Sequence, residues 1–118
     1  MTRPGRDETT TISCDRADVA LARAFEVLGK RWSGLVIGSL SSGPAGFREL
    51  SRAVGGISDS VLSDRLSQLT DVGLVVRTVD AGPPVAVSYH LTAAGRALVP
   101  ALTQIARWAE EHLPADPS

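Results

Sequence analysis

Between Ser58 and Gln68 the chain interleaves hydrogen-bonding side chains with apolar ones. Ser58, Ser60, Ser63, Asp64, Arg65 and Gln68 stand among Val61, Leu62 and Leu66. Polar groups of these types can read the edges of nucleic-acid bases. An arginine donates two hydrogen bonds to a guanine, a glutamine pairs with adenine, a carboxylate accepts from cytosine N4, and serine serves either base. Lys30, Arg31, Arg48, Arg52 and Arg77 are scattered around that stretch. Such cations hold phosphates, which fixes position without reading sequence. The same residues also describe a solvated helix face on which Asp59 or Asp64 pairs with a nearby arginine, and pattern alone leaves both readings standing.

Other chemistries find less support. His90, His112 and Cys14 lack the paired spacing of a metal site. Gly55-Gly56 lacks the lysine and the flanking glycine of a phosphate-binding loop. Serine, histidine and aspartate are present, but nothing in the sequence brings them together. No enzyme, cofactor or metal is therefore expected. Cys14 has Arg16 nearby, but Asp15 and Asp18 oppose thiolate formation, so an inert thiol is the expectation.

With 118 residues the chain has room for one domain. At 43% hydrophobic and 21% charged residues it has the make-up of a soluble globular protein. The apolar runs are too broken to span a membrane, and the polar stretch Met1 to Ser13 does not read as a signal peptide. A cytoplasmic location is expected, in keeping with a single cysteine. Net charge is −1, which does not point to nucleic acid for the chain as a whole. Residues 30–77 nevertheless carry six cations against four acids, while the segments on either side are acidic.

The elements that must position these side chains follow from periodicity. Leu21, Ala24, Phe25 and Leu28 mark one helical face. A second short helix presents Trp32, Leu35, Val36 and Leu40, and stops at Gly43-Pro44. A third carries Phe47, Leu50 and Val54. Ser58 caps a fourth, which buries Leu62, Leu66 and Leu69 and ends near Gly73. Residues 74–79 and 85–91 read as a hairpin around Asp80-Ala81-Gly82-Pro83-Pro84. Thr92 caps a last helix bearing Leu98, Leu102, Ile105, Trp108 and Leu113, with Pro100 expected to kink or break it. Two short helices around a glycine turn, followed by a hairpin, predict a mainly α winged helix-turn-helix with a small β wing.

Several blocks in that order resemble the HxlR-type regulators, relatives of the MarR-type winged-helix proteins. They are Ala24-Phe25-Glu26-Val27-Leu28-Gly29-Lys30-Arg31-Trp32, Phe47-Arg48-Glu49-Leu50, Gly56-Ile57-Ser58, Val61-Leu62-Ser63-Asp64-Arg65-Leu66, Gly73-Leu74-Val75, Val87-Ser88-Tyr89-His90-Leu91-Thr92 and Gly95. The likeness spans roughly residues 19–113. It implies a cytoplasmic homodimer that binds double-stranded DNA at a two-fold symmetric operator, with the first and last helices making the dimer. It also implies a division into an arm (1–14), a winged domain with its dimerisation helices (15–113) and a tail (114–118). Ser58, Ser60, Val61, Ser63, Asp64, Arg65 and Gln68 become the expected base contacts, and Lys30, Arg31, Arg48, Arg52 and Arg77 the expected phosphate contacts. Leu21, Leu98, Leu102, Ile105, Trp108 and Leu113 become the expected dimer contacts. Phe25, Trp32 and Trp108 are expected to be packed in the core and the interface, or to hold a small apolar effector.

The sequence departs from its relatives in three places. Asp64 stands where a basic or amide residue is usual and Ser60 where a lysine or arginine is frequent, Val85 and Ala86 stand where the wing often carries an arginine, and Cys14 lies five residues before the usual sensing position, which aligns with Val19. Asp64 is readable as a base contact, as a brake on binding to all DNA, or as the mark of a surface that no longer meets DNA. The brake is favoured, because Ser60 and the wing also lack positive charge. The alternative to a DNA reader is a winged-helix module for protein interaction.

Overall fold

The computed structural model describes residues 16–114. Cys14 and the expected arm lie outside the described residues. The chain divides into two units between Lys30 and Arg31. The first contains α1 (Arg16–Leu28). The second runs through α2 (Ser33–Ser39), α3 (Phe47–Val54), α4 (Asp59–Asp71), β1 (Val75–Asp80), β2 (Ala86–Leu91) and α5 (Ala93–His112).

The core of the second unit forms where the short helices meet the root of the hairpin. Ser33, Val36, Ile37 and Leu40 share one face of α2 at helical spacing and are all buried. Leu35, expected on that face, lies on the opposite side and is 54% exposed. In a seven-residue helix that reads Leu-Val-Ile, apolar residues fall on both sides, and packing alone selects the buried pair. Leu50 from α3, Leu62, Leu66 and Leu69 from α4, and Val75 and Leu91 from the strands complete the cluster. Each large side chain buried this way contributes about 1.5–3 kcal/mol from area removed from water.

The ends of α4 are set by local chemistry. Ser58 Oγ accepts the backbone N–H of Val61 at 3.2 Å, which satisfies one of the free donors of the first turn. At the other end Gly73 has φ 84°, a left-handed conformation that favours glycine. The Gly73 N–H donates to the Thr70 carbonyl and the Leu74 N–H to the Leu69 carbonyl, closing the helix. Between α3 and α4, Gly55 and Gly56 both take positive φ, 73° and 77°. These two glycines make the turn of the helix-turn-helix.

The hairpin pairs Val75 with Leu91 at its root and Asp80 with Ala86 at its tip, antiparallel throughout. Ala45, just before α3, bridges to Tyr89 through two backbone hydrogen bonds of 3.0 and 2.8 Å. The wing is thereby tied to the entry of the helix-turn-helix. At the tip Asp80 Oδ1 accepts the Gly82 N–H at 3.2 Å.

Helix α5 continues for 20 residues through Pro100 without a break. Proline lacks the N–H that would bond Arg96, but the flanking turns carry the helix across. Gly34 of α2 approaches Leu102, whose side chain would lie 3.9 Å from a Cβ placed on the glycine. Leu98 and Leu102 are half-buried, whereas Ile105, Trp108 and Leu113 are exposed. None of the described helices is long and apolar enough to cross a membrane.

Candidate nucleic-acid interface

Helix α4 buries Leu62, Leu66 and Leu69 and so must turn its opposite side outward. That outward side carries Ser60, Ser63, Asp64, Ser67 and Asp71, all exposed. Val61, Arg65 and Gln68 are only half-buried flank residues rather than the fully outward ones expected. The helical period places all three on one flank of the leucine stripe, with Arg65 nearest to it. Ser67 was missed by sequence reasoning, although it lies four residues after Ser63 and seven after Ser60. That spacing was the signal that could have found it.

Arg65 is the most constrained polar residue on the helix. Its side chain is 16% exposed, and its Nη1 lies 3.0 Å from Asp64 Oδ2. The same nitrogen donates to Gln68 Oε1 at 2.8 Å. Gln68 Nε2 in turn donates to Asp64 Oδ2 at 3.4 Å. The three side chains form a closed ring of contacts, and Arg65 Nε is buried without a partner. Sequence reasoning allowed for a pairing of Asp64 with an arginine, but not for the burial of the arginine stem.

Asp59 is also paired. Arg48 Nη1 on α3 reaches Asp59 Oδ2 at 3.4 Å, with both side chains mostly exposed. A pair this exposed contributes little to stability, but it places Arg48 beside the first turn of α4. Ser58, the cap, lies within 3.5 Å of the Ser60 hydroxyl.

A groove of about 320 Å³ runs between α4 and the wing, lined by Ser63, Ser67, Thr70, Asp71, Arg77 and Tyr89 as well as Leu66. Arg77 and Tyr89 are cross-strand partners, so they project from the same face of the hairpin. Four hydroxyls, one guanidinium and the Asp71 carboxylate thus line a polar cleft, with the Thr70 hydroxyl donating to the Leu66 carbonyl at 2.7 Å. Hydroxyls and arginines are the side chains that bind backbone phosphates. Thr70 and Tyr89 were not singled out from the sequence, because nothing in a strand's composition says which helix it will face.

The other expected phosphate contacts are dispersed. Arg52 is exposed in the last turn of α3. Arg31 lies with its guanidinium carbon 4.8 Å from the centre of the Trp32 ring, a cation–π arrangement. Lys30 is exposed at the end of the first unit, which also holds Leu21 and Phe25. Trp32 is half-buried, and Trp108 is exposed beside His112, their ring centroids 6.2 Å apart. Neither tryptophan lines the groove beside α4, nor the smaller cavity of about 180 Å³ around Leu40, Pro44, His90 and Arg96.

A helix-turn-helix closed by a two-stranded wing, with a hydrogen-bonding outward face on its second helix, defines a winged-helix DNA-binding regulator. Residues 27–117 match the HxlR-like helix-turn-helix family, and the chain belongs to it. The HTH-type transcriptional regulator YvaP of Bacillus subtilis is 41% identical over 96 residues, covering 81% of this chain and 87% of YvaP. The reduced form of the transcriptional regulator YodB from B. subtilis superposes with a TM-score of 0.74 at 36% identity, covering 82% of this chain and 95% of YodB. Diamide-treated YodB gives a TM-score of 0.70 at 35% identity over 88% of this chain and 99% of that one. The family and these relatives are transcriptional regulators, not enzymes.

Proposed function

We propose that this protein is a homodimeric transcriptional repressor that places α4 of each subunit in successive major grooves of a palindromic operator. The observation that carries the reading is the outward face of α4, rich in small hydroxyl side chains and bordered by the Arg77–Tyr89 groove. Small hydroxyl side chains let a helix approach base edges closely, while the groove offers donors to the phosphates that flank them. Ser60, Ser63 and Ser67 lie against the bases in this arrangement, with Ser58 and Val61 at the helix entry. Arg48, Arg52 and Arg77 take phosphates, and Lys30 and Arg31 extend that set. The half-site centres lie about one helical turn of DNA apart, as two-fold pairs of recognition helices require.

The exposed apolar residues of α5 support the dimer. Ile105, Trp108 and Leu113 would be costly to leave in water, and a second copy of the same helix is the partner of matching length and chemistry. A small apolar effector completes the proposal. By binding one arrangement of the dimer better than another, it would shift the spacing of the two reading helices.

Selection from a random DNA library, followed by footprinting on the region upstream of the protein's own gene, tests the reading. A recovered palindrome protected on two adjacent turns supports it. Recovery of no enriched sequence would move the protein to the class of winged-helix interaction modules.

A further inference from the structure

We propose that Asp64 and Gln68 read no base themselves but position Arg65 as the specificity-determining residue of the recognition helix. The inference rests on the assignment of α4 as the DNA-reading helix and goes beyond it by dividing labour among its polar residues.

The geometry of the ring is the argument. Adjacent residues on a helix do not normally face each other. Asp64 and Arg65 nevertheless meet, at 3.0 Å, because the arginine is long enough to fold around the helix. By the helical period Gln68 lies between them around the axis, and it bonds both, at 2.8 Å to Arg65 and 3.4 Å to Asp64. Arg65 starts from the flank of α4, beside the leucine stripe, with its stem covered and its Nε buried. Asp64 is on the outward side and 57% exposed at its side chain. Both contacts act on Nη1 and draw the guanidinium from the flank toward the outward face. Without them, the covered stem alone would direct the arginine, and nothing would hold its end toward Asp64.

The same contacts decide what Arg65 can still donate. The Nη1 group is engaged by two acceptors, and Nε is buried. The Nη2 group is engaged by neither contact. It can reach a guanine with a single amino group rather than with the two-nitrogen fork of an unrestrained arginine. Asp64 also neutralises the charge beside it, so Arg65 gains less from phosphates in general than a free arginine would. The clasp therefore trades attraction to all DNA for a fixed direction toward one base. It accounts for an acid in the middle of a DNA-reading helix without requiring that the acid touch DNA.

The test compares four full-length proteins: wild type, Asp64→Ala, Arg65→Ala and the double variant. Each is titrated against the selected operator and against operators changed at each position in turn. If Asp64 acts through Arg65, Asp64→Ala lowers the preference for guanine at one position on the order of tenfold. It then changes no base preference when Arg65 is already alanine. Asp64→Asn, which keeps an acceptor, retains part of the preference. Equal changes in both backgrounds would make Asp64 an independent base contact and overturn the inference. So would a uniform rise in affinity for all DNA with base preference untouched. A second readout needs no DNA. In nitrogen-15 spectra of the free protein the Arg65 guanidinium should show restricted rotation that is lost in Asp64→Ala. Free rotation in the wild type would refute the clasp itself. Failure to select any operator, with restricted rotation present, would instead overturn the DNA reading of α4 and leave the ring a structural brace.

Discussion

Thr92 and Gly73 join the two ends of the wing: the Thr92 hydroxyl donates to the Gly73 carbonyl at 2.7 Å. The same oxygen accepts the Gly95 N–H at 3.1 Å. One side chain thus caps α5 and holds the residue that ends α4, with the whole hairpin between them. Thr92→Ala removes both bonds and should lower stability by about 1–2 kcal/mol. Thr92→Ser should restore most of it. Urea denaturation of the three proteins measures this, and an alanine variant as stable as wild type would show that the two bonds together contribute nothing.

Close packing at the same junction makes a second case. Gly95 is buried, and a Cβ added there would collide with the Leu74 carbonyl oxygen and press on Leu91. Alanine normally gains about 1 kcal/mol over glycine inside a helix. Here the obstacle is backbone rather than a flexible side chain tip, so α5 must shift against the start of β1. Gly95→Ala should therefore destabilise by about 1–3 kcal/mol despite its better helix propensity. A gain in the urea midpoint would mean that α5 moves freely at this point.

Arg77 gives a prediction about DNA alone. It stands in the groove with Tyr89 and the α4 hydroxyls. As a phosphate contact it should add affinity without selectivity. Arg77→Ala should weaken binding to the operator and to random DNA by a similar factor. The slope of log K against log salt should fall by close to one unit per subunit. A loss confined to the operator would reassign Arg77 to base reading.

Cys14 lies outside the described residues, and its chemistry is argued from its neighbours in sequence. Asp15 and Asp18 disfavour a thiolate, and the thiolate is the reactive form. Mild diamide treatment should leave operator binding unchanged. Binding lost to diamide, restored by a thiol reductant and retained in Cys14→Ser would establish a redox switch instead.

The two tryptophans, Trp32 and Trp108, offer a reporter for the proposed effector. A small apolar ligand that controls binding should change their fluorescence and shift the operator titration over the same concentration range. A fluorescence change with no effect on DNA affinity would separate ligand binding from regulation.

How much of this was legible in the sequence depended on how local the cause was. The stripe of Leu62, Leu66 and Leu69 fixed the buried side of α4, because three leucines at helical spacing admit one orientation. Gly73 and Ser58 marked the helix ends, since a left-handed residue and a capping hydroxyl are required there. Leu35 was misplaced because Leu-Val-Ile in a short helix offers no contrast between faces. Of the kink or break that Pro100 suggests, the break does not occur: α5 runs through it. The outward face was read with Arg65 and Gln68 on it and Ser67 omitted. Polarity alone suggests exposure, but a long arginine can bury its stem and return its head to a neighbour. The groove between α4 and the wing depends on which strand face meets the helix, and single-sequence patterning does not contain that pairing.

The proposed dimer yields the most exposed prediction. Ile105 is 48% exposed and Trp108 54%, three residues apart on one side of α5. At this spacing they form one apolar patch on the helix; Leu113, 53% exposed, lies just past the helix end. In the second unit the nearer half of α5 already packs on α2 through Leu102, so the patch begins where that contact ends. A two-fold pairing would place the same patch of a second copy against it, burying both copies of Trp108. Trp108→Glu puts two carboxylates into that surface and should convert the protein to a monomer at micromolar concentration. Because Trp108 is exposed within the subunit, the monomer should keep its helical content. Light scattering gives the mass and circular dichroism the helicity. Operator affinity should fall steeply, since two half-sites held together bind far better than one. A dimeric mass in Trp108→Glu, or a monomeric wild type, would remove α5 from the interface. A folded monomer that binds the palindrome as tightly as wild type would show that operator recognition needs only one reading helix.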